Sequence, residues 1–137
     1  MHQEFLETDY IVFKNQLFKK DVVLKINQIA DFIYFARDDF KTCAFITAWN
    51  PLPEILSLDV NKSRNLELKD DLTAKGYNFH NGIGVSADKK WSEESYFIEN
   101  IDQNVANEIA LKYGQKAFVF IDADRMTKLI YTISNVY

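Results

Sequence analysis

Seven short runs of apolar, β-branched and aromatic residues are separated by polar segments along this chain. Three longer stretches repeat apolar residues every three or four positions. The short runs predict β-strands, and the longer spacing predicts helices with one buried face. The predicted order of elements is β-β-α-β-α-β-β-α-β-β. The predicted strands are Tyr10–Phe13, Val22–Ile26, Cys43–Trp49, Tyr77–Val85, Ser95–Ile98, Ala117–Ile121 and Leu129–Ile133.

Polar residues mark where the three predicted helices begin, and glycines mark where two of them end. Asparagine and aspartate at a helix N-terminus accept hydrogen bonds from free backbone N–H groups, and glycine readily takes the left-handed geometry that ends a helix. The predictions are a helix 27–40 capped by Asn27, a helix 59–75 capped by Asp59 and ended by Gly76, and a helix 100–113 that opens with an Asn100/Gln103 capping box and ends at Gly114.

Consecutive strands are typical of antiparallel hairpins, and single helices between strands are typical of crossovers. The chain is therefore predicted to be a single α+β domain spanning residues 1–137, with a mostly antiparallel or mixed sheet and three packed helices. A length of 137 residues suits one domain. Four glycines, and two prolines placed close together at Pro51 and Pro53, indicate short connections and no linker.

The charge balance is mildly acidic, with 16 Lys and Arg against 20 Asp and Glu, and it argues against a nucleic-acid partner. No apolar stretch approaches the roughly 20 residues that span a membrane. The first residues lack the pattern of a signal peptide, so a cytoplasmic location is expected. One cysteine, Cys43, excludes an intrachain disulfide, and with only two histidines beside it a Cys/His zinc site is not expected. No metal or cofactor is predicted.

The second predicted helix carries three polar residues on its apolar stripe. Asn61, Arg64 and Asn65 share one face with Leu68 and Leu72, and a buried polar group needs a partner. One hypothesis is a phosphate or carboxylate site near the helix N-terminus, in which the guanidinium of Arg64 donates hydrogen bonds to the anion. The alternative is an internal network in which the two asparagines hold the segment 49–51 and Arg64 pairs with a carboxylate.

A second polar group lies in the segment Trp91-Ser92-Glu93-Glu94-Ser95. In an extended strand Glu93 and Glu94 point to opposite faces, so one of them is placed to face a pocket. That glutamate would then serve as a partner of Arg64, a metal ligand or a general base. The alternative is a solvated pair of charges that leads into a strand.

Three weaker patterns each have a structural interpretation that we favour. Asp122 and Asp124 suit a hairpin turn better than a cation site. His80 stands without a nucleophile at triad spacing, which favours a packed or surface histidine. Gly82-Ile83-Gly84 lacks the third glycine and the following helix of a dinucleotide-binding motif.

Several short motifs follow one another in a particular order: Thr47-Ala48-Trp49-Asn50-Pro51, Asn61 with Arg64-Asn65, Gly76, Trp91-x-Glu93-Glu94-Ser95, and Tyr113-Gly114-Gln115-x-Ala117. In that order they resemble the bacterial family named domain of unknown function 3293, from about Phe45 to the C-terminus. Lys116 stands where the family pattern leads us to expect asparagine. The resemblance to this family implies no particular activity. The resemblance implies that its motif residues belong to one pattern, and these include Trp49, Asn50, Asn61, Asn65, Trp91, Glu93, Glu94 and Gln115.

Two functions follow as hypotheses, and whether a reaction is catalysed is left open. The first is a polar pocket for a small anionic or nucleotide-like ligand. The second is a protein–protein interaction module, such as a regulator or inhibitor, without catalytic activity. The ligand-binding residues of the first hypothesis are Trp49, Asn50, Asn61, Arg64, Asn65, Trp91, Glu93, Glu94 and Gln115. It predicts that four of them, Asn50, Arg64, Glu93 and Gln115, converge in one concave site.

Overall fold

The fold is seen in a computed structural model that describes residues 2–31, 37–51 and 54–134. Within these ranges it has seven strands and three helices. The strands are β1 (Asp9–Val12), β2 (Val22–Leu24), β3 (Cys43–Ile46), β4 (Phe79–Val85), β5 (Ser92–Ile98), β6 (Ala117–Ile121) and β7 (Thr127–Tyr131). The helices are α1 (His2–Glu7), α2 (Leu58–Ala74) and α3 (Gln103–Lys112). The predicted α+β class is confirmed.

All seven strands belong to one sheet with the order β2-β1-β4-β5-β3-β6-β7. Every pairing is antiparallel, which settles the choice between an antiparallel and a mixed sheet. Strand β3 lies inside the sheet between β5 and β6, and all four of its residues are buried, as its continuous apolar run predicts.

The two faces of the sheet are covered by different parts of the chain. One face packs against helices α2 and α3, and its core includes Ile46, Leu68, Leu72, Ile98, Ile109 and Phe120. The opposite face is covered by α1 and by the loop between β1 and β2, and its core includes Val12, Phe18, Phe45, Phe97, Val119 and Ile121. Edge-to-face ring pairs such as Tyr10–Phe45, with centroids 5.6 Å apart, fill this second core.

The register of β4 and β5 places a row of polar residues on the second face. Glu93 pairs with Gly84, Ser95 with Gly82, and Phe97 with His80. Because side chains alternate along a strand, Glu93 and Ser95 share the face of the buried Phe97, and Glu94 points to the other side. The strand therefore carries one glutamate toward the aromatic face and one away from it.

Helix α1 was not predicted, because six residues are too few to show a helical period. The predicted helix 27–40 crosses residues 32–36, which lie outside the described residues. Its predicted cap is wrong: Asn27 has a positive φ of 67° and its N–H donates to Thr127 in a turn.

The predicted caps of the other two helices are also wrong, each by two residues. Helix α2 is capped by Ser57, whose hydroxyl accepts from the N–H of Val60, and not by Asp59. Helix α3 follows Asp102, and the side chain of Asn100 instead accepts from the N–H of Lys41. Where several polar residues precede a helix, sequence alone does not rank them. The two glycine terminators are confirmed, since Gly76 and Gly114 both have positive φ.

Candidate functional site

A cleft of about 570 Å³ opens on the second face of the sheet, between α1, β1, the start of β5 and the segment after β3. A volume of this size fits a small organic molecule. Its walls include the aromatic side chains of Phe5, Tyr10, Phe45 and Trp91. Its polar lining includes Thr47, Asn50, Glu93, Ser95 and Gln115.

The segment after β3 is held to helix α2 by the side chains of two asparagines. Asn65 accepts from the N–H of Ala48 and donates to the carbonyl of Glu94, both within 2.8 Å. Asn61 accepts from the N–H of Asn50 at 2.8 Å and donates to the side-chain oxygen of Asn50. These bonds replace the strand pairing that the segment lacks beyond Ile46, so the helix positions one wall of the cleft.

Arg64 extends this network away from the cleft. Its Nε donates to the carbonyl of Ala48 at 2.8 Å, and its Nη2 donates to the carbonyl of Tyr113 at 2.5 Å. The guanidinium thus joins the end of β3 to the end of α3, and it does not line the cleft. The internal network foreseen as an alternative is present, with backbone carbonyls in place of the expected carboxylate.

Asn50 and Gln115 line the cleft, and within the described residues each uses only one of its two side-chain amide atoms in hydrogen bonds. The oxygen of Asn50 accepts from the N–H of Leu56 and from Asn61, so the orientation of the amide is determined. The nitrogen of Gln115 donates to the carbonyl of Trp49 at 3.0 Å. Among the described residues, Asn50 Nδ2 and Gln115 Oε1 make no hydrogen bond. Both residues are more than nine-tenths buried, with 6% and 8% of their surface exposed.

Asn50 is held in an uncommon backbone conformation at this wall. Its φ is 39°, in the left-handed region that asparagine tolerates better than most residues. Its backbone N–H and its side-chain oxygen together take part in three hydrogen bonds. Strain that the surroundings hold in place is typical of sites that bind ligands.

Glu93 is a carboxyl group in this cleft whose pKa is raised toward neutral pH. Burial raises the pKa of the Glu93 carboxyl from 4.5 to about 7, because the charged form loses its contact with water. In the part of the chain that the structure describes, no donor or cation pairs with this carboxyl group. Near neutral pH it therefore exists in both forms, able to donate or to accept a hydrogen bond.

The raised pKa makes a prediction for stability against pH. The folded chain binds the Glu93 proton more tightly than the unfolded chain, so this contribution is fully present below pH 4.5 and is lost as the pH rises to about 7. Glu93→Gln is expected to match the wild type near pH 4 and to be more stable by about 2 kcal/mol near pH 8. Urea unfolding of both proteins at the two pH values measures the difference.

Glu94→Gln serves as the control for this measurement, because Glu94 is exposed on the opposite face. Its change in stability is expected to stay within about 0.5 kcal/mol at both pH values. An equal gain from the two substitutions would show that net charge, and not the burial of Glu93, sets the pH dependence.

Four of the nine residues predicted from the sequence line this cleft: Asn50, Trp91, Glu93 and Gln115. The other five lie outside its walls. Trp49 is buried, and its carbonyl holds Gln115 in place. Glu94 is exposed and lies 3.7 Å from the ammonium of Lys62. The remaining three, Asn61, Arg64 and Asn65, form the network described above.

Sequence analysis missed the part of the cleft that comes from the N-terminus. Phe5 on α1 and Tyr10 on β1 line it, and burial raises the pKa of Tyr10 well above its usual range. The hydroxyl of Tyr10 donates to the carbonyl of Phe5, which fixes α1 against the sheet. No local motif marks these residues, since only strand pairing across the sheet brings them to the site.

His80 belongs to a different cluster on the same face. Its Nε2 lies 2.6 Å from a carboxylate oxygen of Glu99, and its ring stacks on Phe97. Glu99 is 4% exposed, and its second oxygen lies 3.0 Å from the guanidinium of Arg37. Of the two structural interpretations, a packed or a surface histidine, the structure shows the packed one, and its carboxylate partner was not foreseen.

The turn interpretation of the Asp122 region is confirmed. The side chain of Asp122 accepts from the N–H groups of Asp124 and Met126 and pairs with Lys128. Across the described residues, no group of three or more His, Cys, Asp or Glu is arranged to hold a metal ion. Burial raises the pKa of the Cys43 thiol to about 12. A thiol so rarely ionised is a poor nucleophile.

None of the helices in the described parts of the chain is long and apolar enough to cross a membrane. Comparison with curated proteins and with solved structures gives no match. One family model does match, over residues 46–118, and it bears the description "Protein of unknown function (DUF3293)". This range is more than half of the 137 residues and contains Asn50, Trp91, Glu93 and Gln115. The chain therefore belongs to the DUF3293 family.

Proposed function

We propose that this protein binds a small organic molecule with a planar ring in the cleft on the second face of the sheet. The observation that carries the proposal is the set of three unpaired polar groups on Asn50, Glu93 and Gln115 that line one aromatic cleft. These atoms are open to solvent in the cleft, and polar groups that face a concave aromatic surface without a protein partner are typical of ligand sites.

The composition of the walls supports a ring-shaped ligand. Trp91 is half exposed at the cleft, and Phe5, Tyr10 and Phe45 offer further aromatic surface. Aromatic walls bind planar rings by stacking and edge contacts, and a few polar groups fix the orientation of the ring. An amide donor, an amide acceptor and a carboxyl group together match the edge of a nucleobase-like heterocycle.

The anionic ligand predicted from the sequence is not what this cleft favours. That prediction rested on Arg64, whose Nε and Nη2 donate to backbone carbonyls. Lys116 is the one basic residue among the described residues that line the cleft. The acidic ones are Glu4, Glu7, Glu54, Asp88 and Glu93. We therefore propose a neutral or cationic ligand.

A cytoplasmic location belongs to the same proposal, because a chain with one cysteine makes no use of an oxidising compartment.

A screen of aromatic fragments by protein-observed NMR tests this proposal. Fragments that bind are expected to shift the signals of residues around Glu93 and Gln115. Trp91→Ala is expected to weaken such binding at least about tenfold, the equivalent of roughly 1.4 kcal/mol of stacking contact.

Tyr131→Ala is the matched control for Trp91→Ala. Tyr131 is an aromatic residue of similar exposure, 45% against 51%, and it lies outside the cleft walls. Its replacement is expected to leave the affinity unchanged. Fragments that bind both variants equally, or a screen without any cleft binder, would count against the proposal.

An interaction module remains the alternative proposal, and one observation favours it. Leu58 and Leu66 on α2 expose large apolar side chains outside the cleft walls. Exposed apolar surface is common at protein–protein contacts. A Leu58→Ser/Leu66→Ser double variant that loses a partner captured by the wild type, while it still binds fragments, would support this role.

A further inference from the structure

We propose that the ligand of this cleft carries a positively charged nitrogen group that pairs with Glu93. This inference rests on the proposed ligand-binding function and names the chemical class of the ligand. Its geometric basis is a carboxyl group that lines an aromatic cleft together with two amide atoms that make no hydrogen bond within the described residues.

The position of Glu93 in the sheet gives the first argument. It lies opposite Gly84, whose lack of a side chain leaves the space beside the carboxyl group open to the cleft. A Cβ atom built on Gly84 would be 3.7 Å from the ring of Tyr10, so the ring stands next to this space. A carboxylate beside an aromatic ring is the pair of groups that recognises an organic ammonium ion.

The charges around the cleft give the second argument. Five carboxyl groups and one ammonium group line it, so the field inside the cleft attracts a cation and repels an anion. The residues that line the cleft account for the whole net charge of the chain, −4, so the rest of the chain is neutral and does not cancel this field.

The missing partner of Glu93 gives the third argument. A partly buried carboxylate without a cation loses part of its hydration, and this loss raises the pKa of Glu93 to about 7. A bound cation would remove that cost, because an opposite charge at close range favours the ionised form. A cationic ligand therefore gains from Glu93 an interaction that the protein itself does not satisfy.

Three indoles that differ only in the end of a two-carbon side chain test this inference. Tryptamine ends in an ammonium group, tryptophol in a hydroxyl group and indole-3-propionate in a carboxylate. Tryptamine is expected to bind at least about tenfold more tightly than tryptophol, which corresponds to one charge pair of roughly 1.4 kcal/mol. Indole-3-propionate is expected to bind most weakly. NMR titration of the full chain gives the three dissociation constants.

Glu93→Gln separates the role of this carboxyl group from that of the rim. The substitution keeps the shape of the side chain and one acceptor oxygen, and it removes the charge. It is expected to reduce the preference for tryptamine over tryptophol to less than about threefold. Glu67→Gln removes one charge on the outer side of α2, away from the cleft, and is expected to keep the preference intact.

The pH dependence of binding gives a second readout on the same carboxyl group. Tryptamine is expected to bind roughly three- to tenfold more weakly at pH 6 than at pH 8, because below a pKa of about 7 it competes with the proton on Glu93. Glu93→Gln should abolish this difference. The variant thereby separates Glu93 from the other ionisable groups that face the cleft: Glu4, Glu7, Tyr10, Glu54, Asp88 and Lys116.

The outcomes distinguish this inference from the proposed function. Equal binding of the three indoles, or the tightest binding by indole-3-propionate, overturns the assignment of a cationic ligand and leaves the binding site in place. The assignment also fails if other aromatic fragments bind the cleft and none of the indoles does. A cleft that binds no fragment at all overturns the proposed function itself.

Discussion

Asn65→Ala is expected to lower the free energy of unfolding by about 3 kcal/mol. The side chain supplies the acceptor for the buried N–H of Ala48 and a donor for the carbonyl of Glu94. Alanine leaves the N–H without a partner in a position that water does not reach. The carbonyl of Glu94 keeps its bond from the hydroxyl of Thr47, so the cost comes mainly from the Ala48 side of the network.

Ser63→Ala is the matched control for this loss. Ser63 lies in the same helix two residues earlier and is exposed, so its substitution is expected to change stability by less than about 0.5 kcal/mol. For a domain of this size the Asn65 variant should unfold roughly 10 °C below the control. Urea and thermal unfolding measure both. A folded Asn65→Ala protein of normal stability would show that the segment after β3 holds its position without the helix.

The same network explains why its residues looked like a binding site in the sequence. Two amides and a guanidinium on the apolar stripe of a helix require buried partners, and this could be read from their spacing. Whether the partners are a ligand or the backbone depends on which loop lies opposite the helix. That loop is Ala48 to Asn50, and only the folded chain shows that its N–H and carbonyl groups meet the helix.

The strands were predictable because their signal is local. Apolar runs such as Ala117–Ile121 appear at their observed bounds, and the antiparallel order follows from short hairpins. The helix caps were not, because Ser57 and Asp59 are both good caps and only hydrogen bonds decide between them. The cleft was the hardest feature to predict, because its residues lie far apart in the sequence. Tyr10 and Glu93 come together only through the pairing of β1 with β4 and of β4 with β5.

Gly82→Ala is the second substitution with a large expected effect, a loss of about 3 kcal/mol. Gly82 lies where β4 crosses between β1 and the buried ring of Phe45. An added Cβ would stand 2.4 Å from the carbonyl oxygen of Ile11 and 2.8 Å from the Phe45 ring. Both distances are shorter than van der Waals contact, and the nearer atom is backbone. Strand β1 must therefore move for the methyl group to fit.

Gly84→Ala gives the contrast within the same strand and on the same face. Its added Cβ would meet the Tyr10 ring at 3.7 Å, an ordinary contact, so a change within about 0.5 kcal/mol is expected. Thermal unfolding of the two variants compares them directly. Because β1 carries Tyr10 into the cleft, Gly82→Ala should also weaken fragment binding, even below the temperature at which it unfolds. Equal stability of the two variants would mean that β1 moves to accept the methyl group without a loss of stability. The wall of the cleft that β1 forms would then adapt to ligands of different shape.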